Sequence, residues 1–184
     1  MKKYFYSLFL LISGFAVTAH AENFSVKTSL ADSKNIEQYA FNGFGCTGGN
    51  KSPSVEWENA PKDTKSFAIT MYDPDAPTGS GWWHWTVLNI PASTSKIAEN
   101  ASNDKAKLPK NVIEGRTDFG QANYGGMCPP VGDKPHHYTI TVYALKVPTL
   151  NLTSDASGAM VGYNVKQNAI ASASVTVEYG RAKK

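Results

Sequence analysis

Alternation of apolar and polar residues marks most of the chain. From Lys65 to Tyr72 the residues Phe67, Ile69 and Met71 are apolar, with Ala68, Thr70 and Tyr72 between them. Trp85 to Ile90 is a second apolar run. A period of two places successive side chains on opposite faces of an extended chain, so these stretches predict the two strongest strands. His137 to Leu145 sets Tyr138, Ile140, Val142 and Ala144 on one face and Thr139, Thr141, Tyr143 and Leu145 on the other. Both faces are largely apolar, which predicts a central strand. Shorter alternations predict strands over Asn23 to Ser29, Ser54 to Trp57, and Ser174 to Tyr179.

One stretch has helical spacing. Asp155 to Ala171 carries Ala156, Met160, Tyr163, Gln167 and Ile170 at that period, flanked by Val161, Val165 and Ala169, and Asp155 is placed to cap its N-terminus. Between the periodic segments lie three long irregular ones. Asn42 to Pro53 and Arg116 to Pro135 are rich in Gly and Asn, but their embedded aromatic and Cys residues predict ordered loops. Ala92 to Pro109 is polar and aperiodic, and reads as an exposed loop with room for a helical turn. No internal repeat appears. The predicted class is mainly β: two packed antiparallel sheets with one C-terminal helix.

The first residues change the picture of charge and location. Lys2 and Lys3 precede a mainly apolar Tyr4 to Val17, and Ala19-His20-Ala21 has the small-x-small form of a signal peptidase site. Residues 1–21 are therefore expected to be a signal peptide, leaving 22–184 as one domain in the periplasm or secreted. A membrane anchor is the alternative, but the run is short of the ~20 residues a spanning helix needs. No second long apolar run follows, so no transmembrane segment is expected after cleavage. The net charge of +3 falls to +1 once Lys2 and Lys3 leave. With no dense Lys/Arg run beyond the short C-terminal tail, nucleic acid is a poor partner. Cys46 and Cys128 form an even pair in an exported chain, which favours one disulfide over two buried thiols.

Candidate chemistry gathers around two proline-rich loops. Tyr72 to Pro77 (YDPDAP) brings Asp73 and Asp75, and the chain returns through Trp82, Trp83, His84 and Trp85. The second loop, CPPVGDKP, leads into His136, His137 and Tyr138. Residues two apart on a strand share a face, so His136 and Tyr138 would point the same way. Three chemistries suit such a cluster. Two Asp and two His match metal ligands in type, but no HExxH, CxxC or HxH spacing is present. A His beside an Asp can act as a base, as in a weak hydrolase built on His84 and Asp73, but no nucleophile elbow such as GxSxG exists. An anion pocket would use backbone N–H groups from Gly125 to Gly132. There the two carboxylates favour a ligand carrying its own donor, such as a zwitterionic phosphate ester. Taken singly, the aspartates also read as turn residues, His84 as a buried side chain and the tryptophans as core. No cofactor is expected.

These motifs together, DPDAP, WH before a strand ending NIP, CPPVGDKPHHY and VYAL, with FGCTGGNKSPSVEW upstream, resemble the phosphatidylethanolamine-binding protein family. Within it they resemble the bacterial Raf-kinase-inhibitor-like YbhB/YbcL group, and the signal segment resembles its secreted type. The resemblance spans nearly the whole mature chain. It implies two antiparallel sheets with short peripheral helices and a small, non-enzymatic anion pocket for a phosphate-bearing molecule or phospholipid head group. The pocket residues carry over to Asp73, Asp75, His84, His136 and Tyr138, with Cys128, Pro129, Pro130 and Gly132 from the loop. It further implies a cis Ala76–Pro77 bond, and action through a protein partner of the kinase- or protease-inhibitor kind. Cys128 stands where many relatives have Gly, which favours the disulfide and narrows the pocket mouth. The other reading is an effector whose pocket is vestigial and whose function lies in a surface loop such as Ala92 to Pro109.

Overall fold

The computed structural model describes residues 23–183; the expected signal segment lies outside them. Among the described residues, ten strands and one α-helix follow in order. The strands are β1 (Ser25–Thr28), β2 (Asn42–Gly43), β3 (Cys46–Thr47), β4 (Val55–Glu58), β5 (Ser66–Asp73), β6 (Trp82–Pro91), β7 (Lys96–Ile97), β8 (Ile113–Glu114), β9 (His136–Leu145) and β10 (Ala169–Tyr179). The helix α1 (Gly158–Asn168) lies between the last two, and 3-10 turns occupy Ile36–Tyr39 and Lys105–Lys107.

The strands form a five-stranded sheet in the order β10-β9-β5-β6-β8, a three-stranded sheet in the order β1-β4-β7, and the small β2-β3 hairpin. The pairings within these strands are antiparallel. Phe67, Ile69 and Met71 of β5 face Val55, Trp57 and Ile97 of the smaller sheet in one apolar core. Alternation sends Ala68 to the opposite face, where it joins Leu88, Leu145, Val161 and Val165 beneath α1. The large sheet is therefore covered on both sides, which is why β5 and β9 read as apolar on both faces.

The helix departs from expectation. It is capped by Ser157, whose Oγ accepts from the Met160 N–H, and not by Asp155. It ends at Asn168, and Ala169 to Ala171 already belong to β10. Its buried face is Gly158, Val161, Gly162 and Val165, whereas Met160 and Tyr163 are exposed. The glycines explain this. A Cβ at Gly158 would come within 2.1 Å of Trp83 Cγ, so the indole of β6 lies directly on the helix backbone.

Two further expectations are corrected. Ala92 to Pro109 is not exposed throughout: Ile97, Ala101 and Ser102 are buried, and Ile97 pairs into the small sheet. No cis peptide occurs among the described residues, so Ala76–Pro77 is trans. Trans is the lower-energy isomer, and Asp73 Oδ1 already closes the turn by accepting from the N–H groups of Asp75 (2.8 Å) and Ala76 (3.2 Å). No helix among the described residues is long and apolar enough to cross a membrane.

Candidate functional site

Three strand ends converge at one edge of the large sheet. β5 finishes at Asp73, which pairs with Trp82 at the start of β6, and His136 opens β9. The proline-rich loops leave from this edge. Between them lies a cavity of about 180 Å³. Asp73, His84, His136 and Tyr138 form its polar wall, and Ala76, Pro77 and Thr78 close one side. Cys128, Pro129 and Pro130 close another. The remaining wall is aromatic: Phe44, Trp82 and Phe119.

The polar wall is fixed by hydrogen bonds behind it. Asp73 is 2% exposed, and its Oδ2 accepts from His136 Nδ1 at 2.8 Å. His84 Nδ1 sits 2.8 Å from the Gly125 carbonyl and 3.1 Å from that of Gly126. Burial holds the His84 pKa below the ordinary imidazole value, against the pull of these carbonyls and of Asp73. Tyr138 lies against His84 with ring centroids 5.1 Å apart. Burial, and then the charge of Asp73, push its phenol pKa up, so the hydroxyl keeps its proton. That hydroxyl and the Trp82 indole Nε1 are both buried and without a hydrogen-bond partner. A buried polar group left unpaired costs about 1–3 kcal/mol, and both lie on residues that line the cavity.

Not every expected residue lines the wall. Asp75 sits on the rim, where its Oδ2 accepts from both the backbone N–H and Nδ1 of His137, each at 2.7 Å. Those bonds hold the Asp75 pKa below the usual carboxylate range, and Asp75 in turn raises that of His137. Gly132 is also off the wall, because its N–H donates to the Arg181 carbonyl at 2.8 Å. The expected cradle of glycine N–H groups is taken up internally. Gly125 N–H donates to the His84 carbonyl (2.8 Å) and Gly126 N–H to Asn50 Oδ1 (2.8 Å). None of the three glycine N–H groups in this loop is therefore left free.

The aromatic wall was not foreseen. Phe41 and Phe119 stack at 4.0 Å, and Phe44 leans on both while 78% exposed. Their positions in Gly-rich loops carry no periodic signal; only their being apolar residues in polar surroundings hinted at a role. The wall is held by a covalent bond and by hydrogen bonds. Cys46 and Cys128 form a disulfide with a Cα separation of 6.0 Å, tying the β2-β3 hairpin to the CPPVGDKP loop. Arg181 straddles the same seam, donating to the carbonyls of Pro129 (3.1 Å) and Gly45 (2.5 Å). Among the described residues no cluster of three or more His, Cys, Asp or Glu is arranged to hold a metal ion.

Comparison with known proteins gives a consistent answer. Residues 26–180 match the model of the phosphatidylethanolamine-binding protein family. The UPF0098 protein YbcL of Escherichia coli is 56% identical over 142 residues, which are 77% of this chain and 78% of that protein. YbhB of the same organism is 44% identical over 155 residues, covering 84% of this chain and 98% of YbhB. The crystal structure of E. coli YbcL, described as a member of the mammalian PEBP family, superposes with a TM-score of 0.82 at 51% identity. It covers 85% of this chain and 98% of its own. With the matching sheets and helix, these findings place the chain in the phosphatidylethanolamine-binding protein family.

Proposed function

We propose that the chain is an exported, non-enzymatic binding protein whose cavity takes a small phosphate-bearing group, such as a phospholipid head group. It acts by holding that ligand or by modulating a partner protein. The observation that carries this reading is the pair of unpartnered buried donors, Tyr138 Oη and Trp82 Nε1, on residues lining one cavity. An anionic oxygen would satisfy both. The volume of about 180 Å³ lies below the ~300–1,000 Å³ of drug-sized sites, which suits a head group rather than a whole lipid. The apolar wall of Phe44 and Phe119 would accept a methylene or ring next to the phosphate.

The non-enzymatic part rests on the lack of a ready nucleophile in the wall. Thr78 Oγ1 donates to the Gly81 carbonyl, Tyr138 keeps its proton, and Cys128 is bridged. Export to the periplasm rests on the N-terminal segment and on the disulfide, a bond that persists in oxidising compartments.

The test is a titration of the mature protein with phosphoethanolamine and with inorganic phosphate, following the His84 and His136 ring signals by NMR. Saturable shifts at both rings, reached only at about tenfold higher ligand in Tyr138→Phe, are the expected result. Flat signals at millimolar ligand would end the pocket reading and move the search to protein contacts on the outer surface.

A further inference from the structure

We infer that the cavity selects a protonated oxyanion: the ligand donates its own hydrogen to His84 Nε2, while Tyr138 and Trp82 donate to its other oxygens. This rests on the phosphate-pocket reading above and adds the protonation state of the bound species and the residue that reads it.

His84 Nδ1 sets the tautomer of the ring. Its two neighbours, the carbonyls of Gly125 and Gly126, can only accept, so Nδ1 carries the hydrogen. In the neutral ring Nε2 then has a lone pair and no hydrogen, and no described residue bonds to it. Burial disfavours a second proton on the same ring. The wall therefore offers one fixed acceptor beside two fixed donors, Tyr138 and Trp82.

The charged surroundings oppose a fully ionised ligand. From β5, Asp73 is buried beside the cavity with both oxygens already occupied by N–H groups. From the loop before β9, Asp118 exerts its field on His84, and Asp133 Oδ2 lies 3.8 Å from His136 Nε2. His136 and Tyr138 face His84 from β9, and the Arg181 guanidinium is spent on the Pro129 and Gly45 carbonyls. Every carboxylate in this shell repels a dianion. A hydrogen phosphate or phosphomonoester monoanion supplies the missing hydrogen. Sulfate near neutral pH has only acceptors, and sets an oxygen lone pair against that of Nε2.

The test is calorimetric titration of the mature protein with inorganic phosphate, phosphoethanolamine and sulfate between about pH 5 and pH 8. Parallel runs in buffers of differing ionisation enthalpy count the protons exchanged. Phosphate should bind at least about tenfold more tightly than sulfate, the size of one unpaired polar contact. Its affinity should fall by up to about tenfold per pH unit above the ligand's own pKa of about 6–7. The neutral Nε2 signal of His84 should persist in the complex. His84→Gln, whose amide can turn to donate, should narrow the gap between phosphate and sulfate. Equal binding of the two anions with no pH dependence would overturn this inference and leave the pocket reading standing. So would sulfate binding accompanied by protonation of His84. Binding of neither anion would sink both.

Discussion

Asp73 spends its two oxygens on three partners, and the site depends on that arrangement. One oxygen closes the DPDAP turn and the other orients His136. Asp73→Ala should strand those donors and lower unfolding free energy by about 2–3 kcal/mol, as read by chemical denaturation. Tyr138→Phe should do the opposite. Its hydroxyl has no partner in the free protein, so the variant should be as stable as the parent or more stable by about 1 kcal/mol, while phosphate affinity drops about tenfold.

The histidines give the free protein a pH profile with two limbs. The His84 pKa is depressed by burial, so the unfolded chain binds the extra proton, and stability should fall as pH drops through about 6.5, the unfolded value. The His137 pKa is raised by Asp75, so its contribution is full below about 6.5 and lost as pH rises through the raised folded value. Asp75 itself is depressed, and contributes above its unfolded value of about 3.9 until pH falls through the lower folded one. Thermal melts across pH should show the acid limb. His137→Gln should flatten the alkaline limb and shrink the Asp75 contribution at lower pH, while the fall at about pH 6.5 set by His84 should stay the same. At this scale the sequence placed Asp73, His84, His136 and Tyr138 together, because two similar loops flanked strands. It could not show that Asp75 and Gly132 turn away, since that depends on bonds to His137 and Arg181 far along the chain.

At the scale of the element, α1 teaches most. Hydrophobic spacing favoured Met160 and Tyr163 as the buried side, yet the helix seats Gly158 and Gly162 on Trp83. Glycine adds nothing to an apolar pattern, so a face built for close approach escapes a reading based on hydrophobicity. Gly158→Ala would improve helix propensity in isolation. Here its Cβ meets the Trp83 ring, and the net outcome should be a loss of about 1–3 kcal/mol, the usual cost of overpacking. Ser157→Ala should cost about 1 kcal/mol through the lost cap. Both are measurable by urea unfolding. The strands were far more legible, because β5, β6 and β9 differ from the readings by a residue or a few at their ends.

At the scale of the whole molecule, the cavity draws on residues from Phe44 to Tyr138, with Arg181 behind them. Pairing of the two sheets was implied by the family resemblance as much as by pattern, and the aromatic wall followed from neither. The mouth is held by one covalent bond across 82 residues of sequence. Reducing it should lower stability by about 2–5 kcal/mol and weaken ligand binding by freeing the β2-β3 hairpin, seen by calorimetry with and without reductant.

That same bond makes the chain a recorder of its own assembly. Strands β4 to β8, drawn from both sheets, lie between Cys46 and Cys128. The two sulfurs reach their native distance only when the hairpin lies against the second loop, 82 residues further along the chain. A chain stalled before that moment would carry two alkylatable thiols, and a finished one none. Counting labelled cysteines at intervals during refolding would therefore time the closure of the pocket without any ligand, and would tell finished molecules from unfinished ones in a single preparation.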